Sequence, residues 1–291
     1  MDKYGLLLAK LEDDRTSGSE QLLGHVLDIL RESSSDLSVS PEEQATLLEK
    51  IVGIINEKFI ELAPLRDIAS KIASLSKENL KKSANELEGR IRSKINSEVA
   101  SLARIGANLV PQNSTIATIS NSDTIVNVLF RAKGMYKDFH VITAISEPAG
   151  EGRLMAKTLA DKGIDVTLVP DAAMGYAIER SNMVMVGADA VTGEFFINKI
   201  GSLPMALSAK HFNIPFYVFA RLDKFLPSRS LPLSRRFIGP EELNPPESEL
   251  ITAKAPLFER IPHSLVDGIV TESGIIKPER NRLEIAEVTN D

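Results

Sequence analysis

Near residue 110 the sequence changes period, and that change limits what the chain can fold into. Before it, apolar residues recur at steps of three and four, the spacing of one helix face; after it, short β-rich runs alternate with stretches of helical composition. In the first part Leu48, Val52, Ile55, Phe59 and Leu62 form one stripe, announced by Ser40-Pro41-Glu42-Glu43. That start combines a Ser cap, a Pro in the first turn and a Glu three residues after the cap. Pro64 is expected to end or bend this helix. Leu80, Ala84, Leu87, Ile91, Ile95 and Leu102 form a second stripe with charges opposite. A helical bundle packing on itself is the expected outcome, with a coiled coil or partner groove as the alternative.

Beyond residue 110, strand-like runs fall at 115–120, 140–145, 166–169, 183–186 and 216–219, separated by helical stretches at 123–133, 152–161, 173–180 and 202–211. Strand, helix, strand at this spacing predicts a parallel sheet covered on both faces, and the apolar strands suit that burial. The expected fold class is α/β: a helical domain over residues 1–105, then a parallel-sheet domain over 106–291. Residues 226–249 hold five prolines and read as a long surface excursion, and a polar, frayed tail is expected after Arg280.

Composition removes several functions. The chain lacks cysteine, which excludes disulfides, thiolate metal sites and cysteine nucleophiles. Four scattered histidines without paired spacing argue against zinc, and neither a metal nor a cofactor is expected. A net charge of −6 argues against general nucleic-acid binding. No apolar stretch approaches the about 20 residues needed to span a bilayer, and the N-terminal apolar run is too short for a signal-peptide core. A cytoplasmic protein without membrane association is expected.

Open α/β sheets bind ligands beyond the carboxyl ends of their strands, so the strand exits carry the candidate residues. The sharpest segment runs from Val184 to Ser202: a buried strand ends in Gly187-Ala188-Asp189, and Asn198 and Lys199 follow nine and ten residues later, before a helix. A carboxylate, an amide and an ammonium in one pocket suit a phosphorylated sugar; a turn-capping Asp189 and a solvated Lys199 are the plainer reading, and spacing alone favours it. Ser120, Asn121 and Ser122 form a second exit, fit for an anion at a helix N-terminus or for ordinary capping by Ser122 or Asp123. A third exit, Ile145 to Arg153, carries glycines and Arg153, which points either at a phosphate or at water. Arg15, in a polar inter-helix loop, is either a lid over the pocket or part of a plain turn. The run from Arg221 to Arg236 carries five basic residues against Asp223 and reads as a solvated loop, or as a surface for an acidic partner or RNA backbone. His140 and His211, at element ends, read as structural.

Asp171-Ala172-Ala173-Met174-Gly175, Gly187-Ala188-Asp189-Ala190-Val191, Ile197-Asn198-Lys199-Ile200-Gly201 and Ala209 through Val218 stand in the order of one superfamily. The chain resembles the alpha, beta and delta subunits of translation initiation factor 2B, together with methylthioribose-1-phosphate isomerase and ribose-1,5-bisphosphate isomerase. The resemblance covers roughly residues 115–280, including the ending from Pro256 to Pro278. It implies an N-terminal helical domain, a Rossmann-like second domain, and a pocket between them for a phosphorylated sugar or nucleotide. It also implies a homodimer or higher oligomer, with a translation factor as a candidate partner. Asp189 takes the family's acid position, and Asn198 and Lys199 its Asn-Lys pair. Ser120 stands where the isomerases carry a cysteine, and Glu147 where relatives carry an arginine before Pro148. Both changes argue against efficient isomerase chemistry. The expected function is therefore a factor-2B-like regulatory protein with a ligand pocket and without efficient catalysis. The alternative is an aldose-1-phosphate to ketose isomerase using Asp189.

Overall fold

The start signal at Ser40 forms as written: its side chain accepts from the Glu43 N–H at 3.2 Å, and the Glu43 carboxylate accepts from the Ser40 N–H at 2.7 Å. This reciprocal cap is worth about 1 kcal/mol and sets the first residue of α3 (Pro41–Lys58). The computed structural model describes residues 3–14, 17–60, 62–226 and 237–278, and divides into two compact units, Met1–Glu98 and Val99–Asp291.

In the first unit α1 (Lys3–Asp13), α2 (Ser19–Ser35), α3, α4 (Ala63–Ala73) and the first part of α5 (Leu80–Leu109) share one apolar core. Leu48, Ile55, Leu80, Ala84 and Leu87 from the two stripes are buried in it, as a bundle packing on itself requires. Pro64 acts differently from its expected role. Helix α3 has already stopped at Lys58, and Pro64 sits in the first turn of α4, where its missing N–H needs no partner. Phe59 and Leu62, the end of the first stripe, fall in the connection yet are fully buried. The Asp36 carboxylate just after α2 is held down at about 2 by the Ser38 hydroxyl and N–H and by the Tyr4 hydroxyl. Burial, then the Asp36 bond, pushes the Tyr4 phenol up to about 12.

The second unit is built on β1 (Ser114–Thr118), β2 (Phe139–Ala144), β3 (Asp165–Val169) and β4 (Met183–Gly187), then β5 (Ala190–Val191), β6 (Phe195–Lys199) and β7 (Phe216–Phe219). After these come β8 (Phe237–Ile238), β9 (Ala255–Pro256), β10 (Phe258–Pro262), β11 (Gly268–Thr271) and β12 (Gly274–Ile276). The main sheet has the order β12-β11-β7-β4-β1-β2-β3, parallel throughout except for β12. Helices α6 (Asp123–Gly134), α7 (Glu151–Ala160), α8 (Met174–Glu179) and α9 (Ser202–Phe212) form the crossovers. Val184 and Val186 of β4 enter one apolar cluster, whereas Met183 and Met185 enter another. Alternate residues of one strand thus serve two buried faces, which is why these strands are apolar without alternation. The fold class is α/β with a mostly parallel sheet, as the alternation of strands and helices implied.

One strand expectation is corrected. β3 is an edge strand with Asp165, Thr167 and Leu168 exposed, so it is not a buried run. Phe195–Lys199 precedes helix α9 as expected, and in addition forms a strand of a separate antiparallel sheet ordered β10-β6-β5. Within the expected surface excursion lie β8, which pairs with β9 beyond its end, and a short α10 (Pro240–Leu243). No helix among the described residues is long and apolar enough to cross a membrane.

Candidate functional site

The sheet order places β1 between β2 on one side and β4 on the other, so the chain winds outward in both directions from the β1–β4 pair. That is the switch point at which an open α/β sheet leaves a crevice beyond its strand ends. Ser120 leaves β1 and Asp189 leaves β4 at this edge.

Ser120 and Ser146, the exit residues of β1 and β2, both have left-handed backbones, at φ 67° and 66°. That region is sparsely populated by non-glycine residues and is held only when the surroundings over-determine it. Here the Ser120 N–H donates to Ser146 Oγ at 2.8 Å, and the Ser146 and Glu147 N–H groups donate to the Asp171 carboxylate at 3.1 and 3.2 Å. Asp171, at the end of β3, therefore pins both exits. Sequence reasoning recorded it as part of a motif without this role.

The Ser120 hydroxyl donates to Glu151 Oε1 at 3.2 Å, and the same oxygen receives the Lys199 ammonium at 2.5 Å. Lys199 is 5% and Glu151 11% exposed at the side chain, so the pair is screened from water. Asn198 is buried beside it and donates to Ser202 Oγ at 2.8 Å, while Ser202 Oγ donates to the Lys199 carbonyl at 2.7 Å. Asp189 is buried as well, and its N–H donates to the Ile197 carbonyl at 2.8 Å. Since Ala190 pairs with Ile197 in antiparallel register, Asp189 comes next to Asn198 along the ladder. Lys199 thus differs from its plainer expectation as a solvated loop residue: β6 carries it into the interior.

Ser122 caps α6, accepting from the Ile125 N–H at 3.4 Å, and its Oγ lies 2.6 Å from where a Cβ on Gly187 would stand. Glycine at the end of β4 is thus what lets the two exits approach. Asn121 lies between Ser120 and Ser122 and is half-buried. Arg153 forms an exposed pair with Glu147 at 2.9 Å, so of the two readings of Arg153 the side chain is at the surface. The acid that meets Lys199 is Glu151. Arg15 lies outside the described residues, as do Arg229, Arg235 and Arg236 of the basic run.

Arg221 and Lys224 of that run depart from the solvated reading. Arg221 follows β7, fully buried and paired with Asp223 at 2.8 Å, and Lys224 is buried too. The signal for Arg221 was its place two residues after an all-apolar strand, with an acid two residues on. For Glu151 no signal separated it from any acid in a helix's first turn.

Three comparisons with known proteins complete the description. Residues 18–278 match the model of the Initiation factor 2 subunit family. The ribose 1,5-bisphosphate isomerase of Methanocaldococcus jannaschii is 33% identical over 216 residues, 72% of this chain and 69% of that protein. A putative translation initiation factor eIF-2B subunit 2-like protein of Pyrococcus abyssi is 30% identical over 254 residues, 84% of this chain and 88% of its own. Among solved structures, the translation initiation factor eIF-2B of Pyrococcus horikoshii OT3 superposes with a TM-score of 0.80 at 26% identity, covering 97% of this chain and all of that one.

Proposed function

Because this chain belongs to the initiation factor 2 subunit family, we propose that it is a factor-2B-like regulatory protein that binds a phosphorylated sugar or nucleotide and does not turn it over efficiently. The observation that carries this reading is the meeting of Ser120, Glu151 and Lys199 at the switch point of the sheet; by its resemblance to the family, Ser120 also puts a hydroxyl where the isomerases carry a thiol. A serine hydroxyl at neutral pH supplies neither the acidity nor the nucleophilicity of a thiol, so proton transfer at a sugar carbon loses one of its two agents. Asp189 remains as a buried carboxylate, and one acid without its partner supports binding better than catalysis. The same reading makes the protein a homodimer or higher oligomer in contact with a translation factor.

A second reading is an aldose-1-phosphate to ketose isomerase. The burial of Asp189 next to Asn198 favours it, as does the likeness to a protein named ribose 1,5-bisphosphate isomerase. Incubation with ribose-1,5-bisphosphate or methylthioribose-1-phosphate separates the two. The unmodified protein is expected to form ketose very slowly or not at all, and Ser120→Cys to raise the rate at least tenfold. Rapid ketose formation by the unmodified protein, lost in Asp189→Asn, establishes the isomerase instead.

A further inference from the structure

We infer that Glu151 is an internal occupant of an anion seat beside Lys199, and that a phosphate monoester enters that seat only when the Glu151 carboxylate gives it up. The inference rests on the phosphorylated-ligand reading and adds a regulating residue to it. Lys199 is a nearly buried ammonium, and it pairs with Glu151 Oε1 at 2.5 Å. The Ser120 hydroxyl, the other donor at this point, is directed to the same oxygen at 3.2 Å. One carboxylate oxygen therefore takes the two bonds that a phosphate oxygen in the crevice would take.

Two further observations support an anion-shaped corner filled from within. Among the described residues Glu151 Oε2 is buried without a hydrogen-bond partner, so this carboxylate is satisfied on one side only. A buried acceptor left without a donor is unfavourable, so withdrawing this carboxylate gives up less than withdrawing a fully bonded one. On the neighbouring strand β10, Glu259 Oε1 accepts from the Gly201 and Leu203 N–H groups at the start of α9, at 2.7 and 2.9 Å. The Lys199 ammonium and the N-terminus of α9 thus each hold one of the protein's own carboxylates. Glu151 is on the first turn of α7 and its side chain is 11% exposed, so it is not sealed from solvent, as withdrawal from Lys199 requires.

Calorimetric titration with inorganic phosphate and with ribose 5-phosphate tests this. Glu151→Gln keeps the shape and removes the competing charge, and it is expected to bind both probes at least tenfold more tightly than the unmodified protein. Lys199→Met added to Glu151→Gln is expected to abolish the gain. Glu151→Asp, which draws the charge back by one methylene, is expected to give a smaller gain and serves if the glutamine variant fails to fold. Equal or weaker binding in both Glu151 variants, beside measurable binding by the unmodified protein, overturns the gating role and leaves the ligand reading intact. Absence of binding of either probe to every variant and to the unmodified protein overturns both.

Discussion

Replacing Lys199 by methionine is expected to lower the free energy of unfolding by roughly 3–5 kcal/mol, the range for removing one partner of a buried ion pair. The substitution retains most of the volume and takes away the charge that neutralises Glu151. That carboxylate is 11% exposed and already has Oε2 without a donor, so Ser120 would be its one remaining described partner. Urea denaturation of Lys199→Met, Glu151→Gln and the double variant apportions the effect. The double variant is expected to recover most of the loss, because the pair as a whole contributes little while each half alone is costly. If Lys199→Met stays within about 0.5 kcal/mol of the unmodified protein, as an ordinary surface change does, the buried pair described here is wrong.

The second large effect is expected at Gly152. A Cβ there would stand 1.8 Å from the Ala144 carbonyl oxygen and 2.9 Å from that of Ile145. Both obstacles are backbone at the end of β2, and the Gly152 N–H is itself bonded to the Ile145 carbonyl at 3.0 Å, so neither side can yield locally. Gly152→Ala must therefore push the first turn of α7 off the sheet. A loss of roughly 3 kcal/mol or more is expected from this overpacking, readable in a thermal melt. Glu151 rides on the same turn, so ribose 5-phosphate binding should change together with stability. A variant that melts like the unmodified protein contradicts the close approach of α7 to β2.

Much of this was legible in sequence because it is local. The helix start at Ser40 is written in four adjacent residues, and the apolar run before Gly187 is written in one strand. The strand exits at Ser120 and Asp189 follow from recognising where such runs stop. What stayed hidden depends on partners far along the chain. Phe195–Lys199 is a strand because it pairs with Phe258–Pro262, and nothing within its own five residues announces that pairing. Lys199 is buried for the same reason, and the ion pair with Glu151 joins the end of β6 to the start of α7. Pro64 was misassigned because proline closes one helix and opens the next with equal ease, and the deciding fact is the earlier stop at Lys58. Glu147 forms an exposed pair with Arg153, and the acid that meets Lys199 is Glu151, four residues later, which no local pattern distinguishes.

The site proposed at the β1–β4 switch point holds a phosphorylated sugar without efficient turnover. A phosphorus NMR time course of ribose-1,5-bisphosphate in the presence of the unmodified protein reads both halves at once. Binding broadens and shifts the phosphate resonances, and turnover replaces them with those of the ketose. The prediction is perturbed resonances that keep their identity over hours. Sharp, unshifted lines, or rapid conversion to the ketose, would contradict it.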